Sequence, residues 1–352
     1  MGTQHINSLI AIDFFCGGGG ITKGLSDAGI KVLGGIDISP DLKRTYEENN
    51  HNKFVNFDIR TISGSDIYKE FPEIEGNEDN LLLAGCAPCQ PFSKQRRANI
   101  EHVDKDLLTE FGRIVKDVLP AHLLIENVPG LMKKGHSVLE NFLKILDECH
   151  YSYDYKVVNA NDYGIPQKRK RLVIIASRLF IPKIPDGEYG PKKSGKKPYV
   201  TVRDAIFRYP PIQAGESADG VPNHSAACLN DKNLTRIRAT PHDGGDRRNW
   251  PSELILDCHK DKAGHTDVYG RMAWDDVAPT LTSRCASLSN GRYGHPEQDR
   301  AISLREAAAL QTFPDDYIFY GNNVSVGKQI GNAVPVKLAE VFGEYILSNS
   351  KK

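Results

Sequence analysis

Short apolar runs alternate with segments of helical period over the first half of the chain. The runs are LIAID at 9–13, KVLGGID at 31–37, KFVNFD at 53–58, LLLAG at 81–85, HLLIEN at 122–127 and RLVIIA at 171–176. This alternation predicts a doubly wound α/β sheet, Rossmann-like in its layout. Apolar residues at helical spacing over 107–118 and 138–146 predict two helices that pack on the sheet.

The texture of the chain changes after Ile181. The segment PKIPDGEYGPKKSGKKPYV is rich in Pro, Gly and Lys and is typical of a linker or surface loop. Strand and helix signals are short and irregular from about 200 to 300, and helical patterns return in SLREAAALQTF and VPVKLAEVFGEYIL. We therefore predict a catalytic domain over 1–185, completed by 322–352, and a smaller loop-rich domain over 186–321.

Composition and charge narrow the classes of function. The 352 residues carry 45 Lys and Arg against 45 Asp and Glu, so any grip on nucleic acid depends on local basic clusters. No apolar run reaches the roughly 18 residues of a membrane span, and the first residues lack the pattern of a signal peptide. Seven cysteines, an odd number, fit a reducing compartment, so we expect a cytoplasmic protein.

A glycine-rich turn follows the first run. Asp13 ends the run, Phe14-Phe15-Cys16 lead into four glycines at 17–20, and a helical segment follows. Strand, glycine turn and helix form a nucleotide-type site. The dinucleotide fingerprint needs a third glycine five residues after the first, where this chain has Thr22 or Lys23. This departure disfavours a nicotinamide-dependent oxidoreductase.

Two acidic residues close the next two runs. Asp37 stands 20 residues after Gly17, where a carboxylate can accept both hydroxyls of a ribose, and Asp58 closes the third run. Either residue alone is as readily a helix cap. Together they line one rim of the sheet and favour a nucleoside ligand without a long phosphate tail, a description that S-adenosylmethionine fits.

Cysteines follow the fourth run. Cys86 and Cys89 have the spacing of a redox pair or of half a zinc site, but the other five cysteines form no second pair. His224, His242, His259 and His265 lie in separated loops without ligand spacing, and we predict no metal. What remains is the thiol of Cys89 in a Pro-rich turn at the expected cofactor rim.

Pro88-Cys89-Gln90, followed by Phe92-Ser93, resembles the catalytic motif of the cytosine-C5 DNA methyltransferases. Further segments resemble that family's motifs in the family's order. They are Asp13 to Gly20, Glu126-Asn127-Val128, Gln167-Lys168-Arg169-Lys170-Arg171 after Tyr163-Gly164-Ile165-Pro166, Leu304-Arg305-Glu306-Ala307-Ala308 running into Gln311-Thr312-Phe313-Pro314-Asp315, and Gln329 to Pro335.

The resemblance implies a set of catalytic residues. Cys89 would add as a thiolate to C6 of cytosine, and Glu126 would hydrogen-bond or protonate the ring at N3. Arg169 would contact the base or hold the geometry of the site, and Arg171 would position Glu126. The neighbouring motif residues Gln90 and Asn127 complete this set, whereas Lys168 and Lys170 are expected in solvent.

The resemblance also implies ligands. The cofactor is S-adenosylmethionine, with S-adenosylhomocysteine as product. The expected cofactor contacts are Phe15, Gly17, Gly19, Gly20, Asp37, Ile38, Asp58, Ile59, Pro88, Asn332 and Ala333.

Double-stranded DNA is the expected partner, with the target cytosine rotated out of the helix. The polar segment 93–104 would close over it, and the target-recognition region is expected at about 186–295. The expected DNA contacts are Ser93, Gln95, Arg96, Arg97, Gln167, Arg236, Arg238, Arg247, Arg248, Arg271 and Arg284.

The sequence thus predicts a DNA (cytosine-5-)methyltransferase of a prokaryotic or phage modification system, monomeric and without a membrane anchor. A cognate restriction endonuclease would act on the same site without forming a complex. Two alternatives share the motifs: a methyltransferase of the related tRNA-methylating branch, and a DNA-binding module with a decayed catalytic core. Intact Cys89, Glu126 and Arg169 disfavour the second alternative.

Overall fold

The computed structural model describes residues 8–88, 107–260 and 267–351. The chain forms two compact units. Unit 1 contains the described residues up to Asn159, Lys170–Asp186 and the C-terminal segment from Val334, and unit 2 contains Ala160–Arg169 and Gly187–Ala333. Both units are therefore built from separated stretches of sequence, and the assignment of whole domains to catalysis or recognition stays a prediction.

Unit 1 is built on a seven-stranded sheet of order β3-β2-β1-β4-β5-β7-β6. The strands are β1 (Ile10–Phe14), β2 (Lys31–Asp37), β3 (Lys53–Asn56), β4 (Leu81–Gly85), β5 (His122–Asn127), β6 (Ser152–Asn159) and β7 (Lys170–Ser177). The first five strands pair in parallel, and β7 pairs antiparallel with both β5 and β6. The predicted α/β sheet is confirmed, and the carboxyl ends of β1, β4 and β5 meet at one rim.

Six of the seven strands coincide with the apolar runs of the sequence, but β6 was missed. It is an edge strand, and only Val158 among its eight residues is buried. A strand that contributes so little to the core carries no apolar run and only a faint alternation.

Helices cover the sheet of unit 1 and make up most of the regular structure of unit 2. The helices among the described residues are α1 (Gly20–Asp27), α2 (Lys43–Asn50), α3 (Gly64–Glu70), α4 (Leu107–Val118), α5 (His136–Glu148), α6 (Val202–Ile206), α7 (Asp231–Arg238), α8 (Asp257–Lys260), α9 (Leu304–Leu310), α10 (Asn323–Asn332) and α11 (Val336–Ser350). Both predicted apolar stripes are confirmed, since α4 and α5 bury Phe111 and Phe142 in the core of unit 1.

The C-terminal helix closes unit 1 by packing on α1. A Cβ placed on Gly24 of α1 would lie 2.3 Å from the carbonyl oxygen of Val336 and 2.7 Å from Cβ of Ala339. A Cβ on Gly343 of α11 would lie 2.9 Å from Cβ of Ala28. The two helices approach this closely because glycine stands at both contact points.

Unit 2 has short helices, two-residue strands β8 (Tyr189–Gly190) and β9 (Lys197–Pro198), and a buried ion pair. Arg300 donates to both oxygens of Glu306 at 2.7 and 2.8 Å, and both side chains are buried. Burial raises the pKa of Glu306, but the hydrogen bonds and charge of Arg300, the charge of His295 and the hydrogen bond from the Ser303 backbone together hold this pKa below its usual value. The predicted loop-rich texture of this part of the chain is matched by its short elements.

Arg305, next to Glu306, is also buried and donates to the carbonyl oxygens of Pro222, Pro314 and Tyr317. The segment around 304–306 therefore stabilises the interior of unit 2.

Within the described part of the chain, every helix is too short or too polar for a membrane span.

Candidate active site at the strand rim

The glycine turn after β1 has an unusual backbone. Phe15, Gly17 and Gly19 have positive φ values of 56°, 55° and 85°. A bulky residue in this region is strained, and such strain is common at ligand sites. Among the described residues, a Cβ on Gly17 would meet only the carbonyl oxygen of Phe15, at 4.0 Å, so these residues leave open space beside the turn. Gly20 begins α1.

Asp13, near the end of β1, stabilises this turn through hydrogen bonds to the start of α1. Its Oδ2 accepts hydrogen bonds from the Thr22 backbone N–H (3.1 Å) and the Thr22 hydroxyl (2.8 Å), and that hydroxyl lies 2.9 Å from the hydroxyl of Tyr46. Gly19 at the N-cap of α1 offers no side chain, so Asp13 caps the helix from the strand. Burial raises the pKa of Asp13 to about 7. Asp13 therefore builds the turn.

The next strand end carries Asp37 and Ile38. Asp37 Oδ2 accepts from the Gly17 backbone N–H and Oδ1 from the Ser39 backbone N–H, both at 3.0 Å. Asp37 thus presents its carboxylate at the rim, tied to the backbone of the glycine turn. Ile38 is 56% exposed, an apolar surface at the rim that suits a flat ring.

The loop after β3 carries Asp58 and Ile59. Asp58 accepts from the Arg60 side chain at 2.6 to 3.1 Å, and these hydrogen bonds lower its pKa. Arg113 of α4 donates to the carbonyl oxygens of Ile59 (2.8 Å) and Ile62 (2.7 Å). The sequence analysis missed Arg113, because the helical pattern of α4 was examined only for its apolar stripe. Arg113 fixes the loop that presents Asp58.

The ends of β1, β4 and β5 lie side by side. Phe14 pairs with Gly85, and Gly85 pairs with Ile125, so Phe15, Cys86 and Glu126 follow at neighbouring positions of the rim. The predicted cofactor turn and the predicted catalytic acid thus belong to one edge of unit 1.

Asn127 ties two of these strand ends together. Its Nδ2 donates to the carbonyl oxygen of Ala87 at 3.3 Å, and its Oδ1 accepts from the Val128 backbone N–H at 2.7 Å. Pro88 is exposed beyond Ala87. The predicted residues Cys89, Gln90, Ser93, Gln95, Arg96 and Arg97 lie outside the described residues.

Glu126 is a buried acid with two different partners. It is 4% exposed. Arg171 Nε of β7 lies 2.6 Å from Glu126 Oε1 as an ion pair, and the Cys86 thiol donates to Oε2 at 2.9 Å. Arg171 also donates to the carbonyl oxygen of Lys170 at 2.8 Å. Arg171, which was predicted to position Glu126, contacts it through this ion pair, and Cys86 as a partner of Glu126 was missed.

Arg169 and Gln167 belong to unit 2 and are buried. Arg169 donates to the carbonyl oxygens of Leu281 (3.0 Å) and Ala333 (3.1 Å). Gln167 donates to the Gln311 side chain at 2.8 Å and accepts from the Leu281 backbone N–H at 3.0 Å. Of the two roles expected for Arg169, this network fits the one that holds geometry. A direct DNA contact of Gln167 does not fit its burial.

Asn332 and Ala333 end α10, also in unit 2. Asn332 is exposed, and the carbonyl oxygen of Ala333 accepts from Arg169 and from Gln311. Lys168 and Lys170 are exposed as expected, and Lys168 pairs with Asp276.

The predicted recognition arginines divide by burial. Arg271 is fully buried, donates to four backbone carbonyl oxygens and pairs with Asp299. The prediction that Arg271 contacts DNA is therefore replaced by a structural role, because its donors are used inside unit 2. Arg247 is also buried, which does not fit a DNA contact.

The remaining recognition arginines reach the surface to different degrees. Arg236 is half-buried, stacks over the rings of Trp250 and Tyr269 and donates to the Leu254 carbonyl oxygen. Arg238, Arg248 and Arg284 are exposed, although Arg248 is also bound by Asp246. Arg238 Nε also lies 3.8 Å from Asp299 Oδ2, and of the predicted recognition arginines in the described part of the chain these three are the exposed ones.

The rim of unit 1 can hold a nucleoside-type ligand beside a buried, ion-paired carboxyl group. Among the described residues, no group of three or more His, Cys, Asp or Glu side chains is arranged to hold a metal ion.

Comparison with known proteins identifies what the chain is similar to. Residues 9–348 match a family model described as C-5 cytosine-specific DNA methylase. The chain is 43% identical over 343 residues to the Type II methylase M.HgiDII of Herpetosiphon aurantiacus, covering 95% of this chain and 94% of that protein. It is 32% identical over 349 residues to the Type II methyltransferase M1.HphI of Haemophilus parahaemolyticus, covering 97% and 87%.

Solved structures agree with this fold. The structure of a putative DNA modification methyltransferase encoded within an E. coli prophage superposes with a TM-score of 0.70 at 25% identity, covering 97% of this chain and 100% of that one. The structure of a Spodoptera frugiperda DNMT2 mutant superposes with a TM-score of 0.64 at 16% identity, covering 98% and 100%. The second likeness is one of fold alone.

Proposed function

Because this chain belongs to the family of C-5 cytosine-specific DNA methylases, we propose that it transfers a methyl group from S-adenosylmethionine to C5 of cytosine in duplex DNA. The observation that carries the proposal is the rim where the open glycine turn, Cys86 and the ion-paired Glu126 follow three adjacent strands. A carboxyl group beside a nucleoside-type site can act as an acid on the base to be methylated.

The rim offers S-adenosylmethionine space, hydrogen-bond acceptors and an apolar surface. The space beside Gly17 accommodates a ligand close to the backbone, Asp37 supplies carboxylate acceptors for ribose hydroxyls, and exposed Ile38 supplies an apolar face for adenine. Asp58 and Ile59 sit on the loop that Arg113 holds. S-Adenosylmethionine bound here supplies an electrophilic methyl group on sulfur.

Cytosine C5 is a weak nucleophile, and two side chains activate it. The Cys89 thiolate adds to C6 and forms an S–C6 bond, which makes C5 electron-rich. Glu126 donates a hydrogen bond or a proton to N3 and so draws electron density from C6. After methylation, a base removes the proton from C5, the S–C6 bond breaks, and the electron pair returns to Cys89 as thiolate.

The target cytosine must leave the helix, at a cost of a few kcal/mol. We assign the closing role to segment 93–104 and the sequence-reading role to residues of about 186–295, where Arg238, Arg248 and Arg284 are exposed. A bidentate contact from one such arginine to guanine discriminates between bases by about 1 to 3 kcal/mol. The substrate is therefore a short, specific duplex sequence, and a restriction endonuclease of the same specificity is the expected companion activity.

Transfer of labelled methyl groups tests the substrate class. Purified protein and labelled S-adenosylmethionine are incubated with duplex DNA and, separately, with tRNA. Label in DNA that is recovered as 5-methylcytosine supports the proposal. Label in tRNA alone would assign the chain to the tRNA-methylating alternative.

Covalent trapping tests the chemistry. Duplex DNA with 5-fluorocytosine at the target position has no C5 proton to lose, so the S–C6 bond persists after methylation. Peptide mass mapping is expected to find the adduct on Cys89 in the wild type and in the Cys86→Ser variant. An adduct on Cys86 would contradict the assignment of the nucleophile.

A further inference from the structure

The two oxygens of Glu126 are held in different ways. Arg171 Nε lies 2.6 Å from Oε1, but in the described part of the chain no donor makes an aligned hydrogen bond to that oxygen. Oε2 accepts the Cys86 thiol at 2.9 Å. The thiol thus provides the directional contact to this carboxyl group, and the arginine provides the charge.

Direction matters because an ion pair tolerates rotation of the carboxyl plane, whereas a hydrogen bond weakens steeply when it is misaligned. With Oε2 bound to the thiol, the plane of the carboxyl group is fixed. Oε1 stays buried against Arg171, so the thiol and the guanidinium group together hold both oxygens of the carboxyl group. A carboxyl group that is only 4% exposed has little water to orient it otherwise.

The position of Cys86 suits this task. It directly follows β4, its backbone N–H lies 3.4 Å from the carbonyl oxygen of Phe14, and its neighbour Ala87 is held by Asn127. The thiol is therefore mounted on a rigid strand end. A thiol is a weak donor, so it can orient the carboxyl group without competing strongly with a substrate.

We propose that Cys86 is a positioning residue for Glu126, which fixes the carboxyl plane through Oε2 while Arg171 pairs with Oε1. This inference rests on the proposed function, because it assigns Glu126 to activation of the cytosine ring. It separates the two cysteines of the C-x-x-C sequence into an orienting thiol and a nucleophile.

Three substitutions of Cys86 distinguish the effect of its hydrogen-bond donor from the effect of its side-chain volume. Cys86→Val keeps an apolar side chain of similar size without a donor, Cys86→Ser keeps a donor, and Cys86→Ala removes both. At saturating S-adenosylmethionine, we expect the single-turnover rate of methylation to fall about tenfold in Cys86→Val and Cys86→Ala, the loss that a hydrogen bond to a charged group represents. Cys86→Ser should stay within about threefold of the wild type.

The KM for S-adenosylmethionine should be unchanged in all three variants, because the substitution acts on Glu126 and leaves the glycine turn intact. A wild-type rate in Cys86→Val together with a slow Cys86→Ser would overturn the proposal, since volume and not donation would then matter. A loss of cofactor binding in step with the loss of rate would also overturn it.

A second measurement does not depend on activity. The S–H stretching band of Cys86, isolated as the difference between wild-type and Cys86→Ser vibrational spectra, is expected at lower frequency than that of an unbonded thiol. Replacing the acceptor in Glu126→Ala should return the band to the unbonded frequency. A band that Glu126→Ala leaves unmoved would overturn the contact itself.

The two measurements also separate failure of this inference from failure of the proposed function. If the wild type forms no 5-methylcytosine but the band shifts on Glu126→Ala, the proposed function fails while the orienting contact is supported. If the wild type methylates DNA and Cys86→Val equals it in rate, the function stands and the positioning role fails.

Discussion

At the residue scale, Asp13 shows how one buried carboxyl group holds the glycine turn in place. It caps α1 through Thr22 because the glycine turn has no side chain to do so. Burial raises its pKa from 3.8 to about 7. Below about pH 4 the group is protonated in both the folded and the unfolded chain, and its favourable contribution to stability is lost as pH rises through 7.

Asp13→Asn removes this titration and keeps an acceptor for the Thr22 N–H. We expect the variant to gain stability relative to the wild type between pH 5 and pH 8, because only the wild type must bury a negative charge at the higher value. The measurement is the free energy of unfolding in urea at the two pH values. Asp41→Asn, at an exposed position, is the matched control, and an equal difference at both pH values would contradict the assignment.

Arg171 is the charged partner of Glu126, and its substitution separates charge from shape. Arg171→Lys keeps a cation but loses the planar fork that also binds the Lys170 carbonyl oxygen. We expect kcat to fall about tenfold with little loss of stability. Arg171→Ala leaves a buried carboxylate unpaired and should cost about 3 kcal/mol of folding free energy.

Lys170→Ala, at the exposed neighbouring position, is the control for these arginine variants. Steady-state methylation and urea unfolding on the same preparations give both quantities. Wild-type kcat in Arg171→Lys together with wild-type stability in Arg171→Ala would show that the ion pair serves neither purpose.

Sequence reasoning locates charged residues at this scale but does not sort them by burial. Arg271 and Arg248 have the same side-chain chemistry, yet one is fully buried and the other exposed. The difference is set by carbonyl groups brought together from distant segments. For the same reason Cys86 could be read only as a member of a C-x-x-C pair, since its contact to Glu126 spans 40 residues.

At the scale of elements, strands that are buried along their whole length can be predicted from the sequence, whereas edge strands cannot. The runs that became β1, β4 and β5 are apolar because both faces of the sheet are covered there. The edge strand β6 lacks that signal. The motif positions at the strand ends were predicted, whereas the contacts of Arg113 and Tyr46 come from helices whose polar residues carry no such pattern.

The contact between α1 and α11 depends on glycine. Gly24→Ala places a Cβ against the Val336 carbonyl oxygen, and backbone cannot move aside as a flexible side chain can. We expect a loss of about 1 to 3 kcal/mol in unfolding free energy, despite the higher helix propensity of alanine. Ser26→Ala, exposed on the same helix, is the control and should be neutral or slightly stabilising. A Gly24→Ala variant as stable as that control would contradict the packing described.

At the scale of the whole molecule, equal numbers of acidic and basic residues leave DNA binding to local groups. We propose the exposed arginines Arg238, Arg248 and Arg284 as such groups, whereas Arg271 is fully buried. Because the two units are discontinuous in sequence, a single motif can be divided between them. Residues 160–169 belong to unit 2, whereas Lys170 begins a strand of unit 1.

Affinity for duplex DNA should fall steeply with salt. Each phosphate contact contributes a slope of about −0.9 in log affinity against log salt. We expect Arg248→Ala or Arg284→Ala to weaken DNA binding in fluorescence anisotropy titrations. Arg271→Ala should chiefly destabilise the protein, reducing the free energy of unfolding by about 3 kcal/mol. If the affinity of the wild type for duplex DNA did not change with salt, binding through phosphate contacts would be contradicted.

Base-resolution mapping of 5-methylcytosine in a methylation-free bacterial host tests the central claim most directly. With the wild-type chain expressed, the account predicts 5-methylcytosine in genomic DNA at one short recurring sequence, and none with Cys89→Ala. Genomic DNA without 5-methylcytosine, or an equal signal from Cys89→Ala, would contradict it.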